Sequence, residues 1–254
     1  MAQFSDNRVT KEDRDRIRTY AERKAAHERA QKAKKRTNAI IIWSISGVVA
    51  IALGIGVFSA VASITTPVAE PTASPTATTS APDPALSENR IWSGSMDVAG
   101  VPITFELDGQ AAPQAVASTI SLVGSGFYEG ISCHRLTTTG IYVLQCGDPA
   151  GDGSGGPGYS YGPVENAPAD DVYPAGTIAM ARQSGNGNSM GSQFFLVYEE
   201  SIIPSDAAGG YTVIGHITSG LPELIARVTS QGTSTGVSDG TPKVPVTLTG
   251  VTVK

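Results

Sequence analysis

The chain has 254 residues, 40% of them apolar, and a net charge of −5, enough material for one buried core plus additional segments. The charge is segregated: residues 1–38 hold 12 of the 18 basic and 6 of the 23 acidic side chains, leaving 6 basic against 17 acidic in the rest. Nucleic acid binding by the basic leader has no aromatic or motif support, so no nucleic-acid partner is expected, and two cysteines are the whole supply.

Residues 1–38 read as a basic cytoplasmic helical segment. Thr10 is the N-cap candidate with Asp13 three residues on, and Ile17, Tyr20, Ala21, Ala25 and Ala33 give only a thin apolar stripe. A solvated helix beside a membrane is expected, its Lys/Arg available to anionic lipid at about 1 kcal/mol each. Residues 39–64 contain no charge and are rich in Ile, Val and Ala, long enough for a transmembrane helix anchoring the chain in the bilayer. Trp43 suits the membrane interface. Ala60-Val61-Ala62 has the form of a signal-peptide cleavage site, but a cleaved signal has a shorter apolar core behind a shorter basic start. The cluster Lys32-Ala33-Lys34-Lys35-Arg36 keeps the N-terminus inside, so the expected product is a single-pass protein of the cytoplasmic membrane with its main domain outside. Residues 65–88, rich in Thr, Ser, Ala and Pro, read as a disordered linker reaching up to about 70 Å.

The globular domain occupies 89–254. Gly and Pro punctuate it, and short β-branched runs at 101–107, 141–144, 177–180, 193–197, 211–214 and 244–253 carry strand signals. Segments 113–123 and 222–228 look helical, the second with Pro222 at a favourable first position. Short strands, little helix and no βαβ rhythm leave a closed barrel or a sandwich.

Cys133 and Cys146 fall opposite each other across a hairpin whose turn lies around Thr138-Thr139-Gly140. In an oxidising location a disulfide there closes a short loop, contributing about 3 kcal/mol; two reduced, buried thiols are the alternative. Cys133, His134 and Cys146 lack an evident fourth ligand, His216 being remote in sequence, so no metal and no cofactor are expected. Gly151-Asp152-Gly153-Ser154-Gly155-Gly156-Pro157 resembles the nucleophile motif of trypsin-like proteases. Its extra Gly153 disturbs the amide geometry an oxyanion hole needs, and a flexible glycine loop is the expected outcome.

Phe127-Tyr128-Glu129-Gly130, Cys133-His134-Arg135-Leu136, Gln145-Cys146-Gly147-Asp148 and Met180-Ala181 followed by Gly191-Ser192-Gln193-Phe194-Phe195 resemble, in order, the core motifs of the cyclophilins, peptidyl-prolyl cis-trans isomerases. Within that family the chain looks like the membrane-anchored, extracytoplasmic forms of actinobacteria. The resemblance implies a mainly β fold, a closed eight-stranded antiparallel barrel capped by two helices. It implies isomerisation of Xaa-Pro bonds, with Arg135 as the catalytic cation donating toward the prolyl nitrogen. Tyr142, Val143 and Phe195 match the walls of the proline pocket and Ile203 its lid. Gln145 and Gln193 match the glutamines that hold substrate backbone, with the Ala181-Arg182 main chain alongside.

Several positions depart from the family pattern. The hairpin between Arg135 and Gln145 is two residues longer, and two more residues enter the loop before Gly191. Arg182 stands where asparagine is common, and Tyr211 where animal members carry histidine. The tryptophan that packs on cyclosporin is missing near Ile202-Ile203-Pro204, so weak cyclosporin binding is expected. The partners implied are proline-containing unfolded or exported polypeptides. The alternative function is a non-catalytic module, tethered to the membrane, that binds proline-containing segments; such a module has no need of Arg135.

Overall fold

The computed structural model describes residues 80–254. The basic leader, the apolar stretch 39–64 and the linker up to 79 lie outside the described residues. Among those described, no helix is long and apolar enough to cross a membrane.

Strands β1 (Ile91–Val98) and β2 (Val101–Asp108) open the fold as an antiparallel hairpin. Its turn is Ala99-Gly100, with φ of 55° and 77°, the left-handed geometry that matches the twist of a two-residue hairpin. Alternation in β2 buries Val101, Ile103, Phe105 and Leu107. In β1, Trp92, Met96 and Val98 are buried, while Gly94 leaves the space occupied by the Phe105 ring. The run Ser93-Gly94-Ser95 dilutes the apolar pattern, which is why no strand was expected there.

The folded chain also begins upstream of the linker boundary expected at 88. Asp83 caps a 3-10 turn at Pro84–Ser87, and the buried indole N–H of Trp92 donates to the Ser87 carbonyl at 2.7 Å. A buried indole needs such an acceptor, and the acceptor lies in the stretch read as linker.

Helix α1 (Pro113–Gly124) and helix α2 (Leu221–Arg227) lie within a residue of the expected spans. The remaining strands are β3 (Arg135–Thr137), β4 (Val143–Cys146), β5 (Val172–Tyr173), β6 (Thr177–Met180), β7 (Phe194–Val197), β8 (Ser201–Ile202), β9 (Val213–Ser219), β10 (Asp239–Gly240) and β11 (Leu248–Val253). Nine form one antiparallel sheet in the order β10-β3-β4-β7-β6-β9-β2-β1-β11, and β5 pairs with β8 alone.

The sheet is curled and open, not the closed eight-stranded barrel expected. The free edge of β3 is taken by β10, so only the irregular stretch before β3 approaches β11. There the contact is one isolated bridge, Ser132 to Thr247, with backbone bonds from Gly130 N–H to Leu248 C=O, from Leu248 N–H to Ile131 C=O and from Cys133 N–H to Val246 C=O, each 2.9 Å. Pro245, which has no N–H, interrupts any continuation of the ladder.

Strands β4, β6 and β7 are buried on both faces, as short uninterrupted apolar runs suggest. Leu144, Cys146, Ile178, Met180, Phe194 and Leu196 point into the main core. Their neighbours Val143, Ala179, Phe195 and Val197 point outward, forming with Tyr173 and Ile203 a second, smaller apolar cluster.

Candidate functional site

That second cluster lies on the outer face of the sheet, and strand register brings a cation to its edge. Arg135 pairs with Gln145, Gln145 with Phe195, Phe195 with Ala179 and Ala179 with Val213. Directly opposed residues of antiparallel strands share a face, so the five side chains form one row across β3, β4, β7, β6 and β9. Arg135 and Phe195 are two strands apart, roughly 10 Å at the usual spacing. A polar head and an apolar socket are thus set side by side by backbone geometry alone.

The polar end is a directional chain of hydrogen bonds. Arg135 Nε and Nη2 donate to the two carboxylate oxygens of Asp239 at 2.7 and 2.8 Å, and Nη1 donates to Gln145 Oε1 at 3.2 Å. Gln145 Nε2 then donates to Gln193 Oε1 at 2.9 Å, and Gln193 Nε2 to the carbonyls of Gly153 and Gly155 at 3.0 and 2.8 Å. Because a guanidinium only donates, the orientation of each amide follows from the one before it. The Asp239 contact raises the Arg135 pKa above its ordinary value, against burial, which lowers it; the group stays a cation. Three of its five N–H are engaged, and two remain for a ligand.

The apolar end is lined by Val143, Phe195 and Ile203, all buried, with Tyr211 and Ala181 at the margin. The Tyr211 ring meets Phe195 edge-on at 5.6 Å. Ile203 is tied by its N–H to the Asp171 carbonyl at 2.9 Å, and Ala181 by its N–H to the Gln193 carbonyl at 2.9 Å. Arg182, by contrast, has a side chain with no exposure, paired with Asp206. That contact, ahead of the opposing effect of burial, holds the Asp206 carboxyl far below the usual range.

Tyr142 does not join the socket. Positions 141, 143 and 145 face the site, so 142 faces the other way, packing against Tyr198 with ring centroids 5.8 Å apart. It lines a separate groove of about 680 Å³ with residues such as Thr138, Val237 and Lys243, and Ile141 packs against the socket cluster in its place.

Cys133 and Cys146 form a disulfide, and the described residues contain no free cysteine. The ladder pairs Arg135 with Gln145, one residue off the register that would set the two cysteines directly opposite, so the bond crosses that step. The glycine loop read as flexible is instead held in place. Asp148, 1% exposed, accepts backbone N–H from Ala150, Asp152 and Gly153, and a Cβ at Gly155 would collide with its carboxylate. Burial pushes the Asp148 pKa up, but these donors outweigh it and hold it below the ordinary value. Ser154 gives its hydroxyl proton to Asp152, and the buried Nδ1 of His134 has no hydrogen-bond partner. No serine–histidine pair exists there. Burial, ahead of the opposing charge of Asp148, lowers the His134 pKa.

Sequence reasoning did not find Asp239, Tyr173 or the carbonyls of the glycine loop. Asp239 lies 104 residues from Arg135 in a segment without periodicity. Tyr173 is fully buried, its hydroxyl accepting the Tyr211 N–H at 2.8 Å. Only the tertiary fold brings these groups to the site.

The profile of the family "Cyclophilin type peptidyl-prolyl cis-trans isomerase/CLD" matches residues 95–253. A probable peptidyl-prolyl cis-trans isomerase B of Mycobacterium tuberculosis is 42% identical over 156 residues, covering 57% of this chain and 49% of the relative. Peptidyl-prolyl cis-trans isomerase B of Bacillus subtilis is 39% identical over 122 residues, covering 48% and 80%. The chain therefore spans about half the length of its mycobacterial relative. The fold is similar to the crystal structure of a Cryptosporidium parvum cyclophilin type peptidyl-prolyl cis-trans isomerase, with a TM-score of 0.53 and 23% identity over 65% of this chain and 98% of that one. With a family match over most of the described residues, on a fold of the same kind, the chain belongs to the cyclophilin-type peptidyl-prolyl cis-trans isomerase family.

Proposed function

We propose that the chain catalyses cis-trans isomerisation of Xaa-Pro bonds, with Arg135 as the catalytic cation, on exported polypeptides outside the cytoplasmic membrane. One observation carries the catalytic part: a guanidinium fixed by Asp239 and Gln145, with two N–H unspent, beside an apolar cluster of Val143, Phe195 and Ile203. Rotation about a peptide bond faces a barrier of about 18–20 kcal/mol because the C–N bond is partly double. In the twisted state the prolyl nitrogen regains its lone pair and becomes an acceptor, which the planar amide nitrogen is not. A donor aimed there binds the transition state better than either ground state. A charge-assisted hydrogen bond is worth about 1.5–3 kcal/mol, so at 1.36 kcal/mol per decade it supplies roughly one to two decades of rate. Val143, Phe195, Ile203 and Tyr211 hold the ring while the chain before it turns, and their apolar surround disfavours the charge-separated planar amide. No bond to the protein forms.

The setting is supported by the 26 uncharged residues at 39–64 and the basic cluster before them. Folding of exported chains meets prolyl steps lasting tens to hundreds of seconds. Two experiments test the reading. Exchange of an Xaa-Pro peptide, followed by NMR, is accelerated by the wild type and not by Arg135→Ala; binding shifts without acceleration would make the chain a proline-recognition module. Protease added outside intact cells removes the domain if the topology is right and spares it if it is not.

A further inference from the structure

Two arginines stand near the proposed socket, and the fate of their donors separates them. Arg135 keeps two N–H free, whereas Arg182 spends all five inside the protein. Its Nε donates to the Gly210 carbonyl at 3.0 Å. Its Nη1 donates to the Gln183 carbonyl at 3.1 Å and to Asp206 Oδ2 at 3.0 Å. Its Nη2 donates to Asp206 Oδ1 at 2.9 Å and to the Gly209 carbonyl. The side chain is fully buried, so the guanidinium has nothing left to offer a substrate.

What it does touch is a wall of the socket. The guanidinium carbon sits 4.7 Å from the centroid of the Tyr211 ring, whose edge-on contact is with Phe195. The Tyr173 hydroxyl accepts the Tyr211 N–H at 2.8 Å and donates to the Tyr211 carbonyl at 3.3 Å. Asp206 in turn accepts from Gly185 N–H at 2.8 Å, Ser184 Oγ at 3.3 Å and Ala208 N–H at 2.9 Å. One ion pair, buried at Arg182 and partly exposed at Asp206, therefore joins the loop after β6 to the loop before β9, with the Tyr211 ring beside it. Burying such a pair costs desolvation that an apolar pair avoids; what it adds is fixed geometry.

We propose that Arg182 and Asp206 are positioning residues that hold Tyr211 as a rigid wall of the proline socket and set the 184–188 loop against it. The proposal deepens the isomerase reading and rests on it for its functional consequence.

The test uses the full chain as wild type, Arg182→Lys and Asp206→Asn. Measured are kcat and KM for exchange of an Ala-Pro tetrapeptide, its dissociation constant, and the Tyr211 ring resonances, assigned by their loss in Tyr211→Phe. A lysine keeps the charge but cannot make five bonds in a plane. Expected in both variants are a KM about tenfold higher, a kcat lowered by less than about threefold, and Tyr211 resonances averaged by faster ring flipping. A folded Arg182→Lys with unchanged KM and unchanged Tyr211 resonances would overturn the proposal, as would a loss confined to kcat. If Arg182→Lys does not fold, Asp206→Asn, whose carboxylate is partly exposed, decides by the same readings. If the wild type accelerates no exchange, the isomerase reading fails separately, and the dissociation constants and Tyr211 resonances still judge the positioning role.

Discussion

Replacing Arg135 by lysine keeps the charge and most of the length, yet an ammonium cannot grip both Asp239 oxygens, reach Gln145 and still aim a donor at a substrate. Arg135→Lys is expected to lose at least about tenfold in kcat/KM while binding proline peptides nearly as well, checked by exchange kinetics beside titration. Asp239 separates orientation from stability in the same way. The pair is substantially exposed, at 39% and 54%, and such pairs contribute less than about 1 kcal/mol. Asp239→Ala should therefore leave thermal unfolding almost unmoved but lower kcat several-fold, because the guanidinium loses the fork that directs its remaining donors. A large stability loss with unchanged kcat would contradict this. At this scale the sequence was partly legible. Arg135, Gln145, Val143 and Phe195 could be named because the family resemblance carries them position by position; the strand pattern alone reads Val143 and Phe195 as ordinary core residues. Tyr142, carried by the same match, packs against Tyr198 instead, and Asp239 was invisible because nothing local marks an acceptor supplied by a two-residue edge strand.

Helix α1 shows what an element needs that its own segment lacks. Its start has Ala112 at the cap with no side-chain hydrogen bond, although the segment 113–123 was read as helical. The cap comes from Glu165, whose two carboxylate oxygens accept the N–H of Gln114 and Ala115 at 3.0 Å each. A carboxylate at a helix N-terminus satisfies exposed donors and opposes the positive end of the dipole. Glu165→Ala is expected to cost about 1–2 kcal/mol, read as a lowered midpoint in urea with unchanged slope; a shift near zero would show the cap to be dispensable. The central strands were readable because runs such as 177–180 and 193–197 are apolar throughout, the pattern of a strand covered on both faces. β1 was not, since Ser93, Gly94 and Ser95 serve Phe105 and solvent rather than a core. The edge strands β5, β8 and β10 have two residues each and exist only as partners of others.

For the molecule as a whole, ionisation sets an acid boundary. The folded protein holds His134 below its ordinary pKa of 6.5, so the unfolded chain takes up that proton first. Its contribution to stability is fully present above 6.5 and is lost as pH falls toward the lower folded pKa. Asp206 and Asp148 are also held below the ordinary 3.8, and their contributions, present above that value, are lost further into acid. The unfolding temperature should decline in two stages as pH drops, with His134→Gln removing the first; a curve flat from pH 7 to 5 in the wild type would contradict this. The overall architecture was legible as a mainly β domain with two helices. Closure was not, because whether the last strand completes a barrel depends on which chain reaches the edge of β3. The central claim remains that Arg135 twists prolyl bonds. The most direct test is the exchange rate of a single Xaa-Pro peptide, measured by NMR with the full chain and with Arg135→Ala. Rapid exchange that falls by at least about tenfold in the variant, with peptide binding retained, is the predicted result. Equal exchange rates for the two proteins would contradict it.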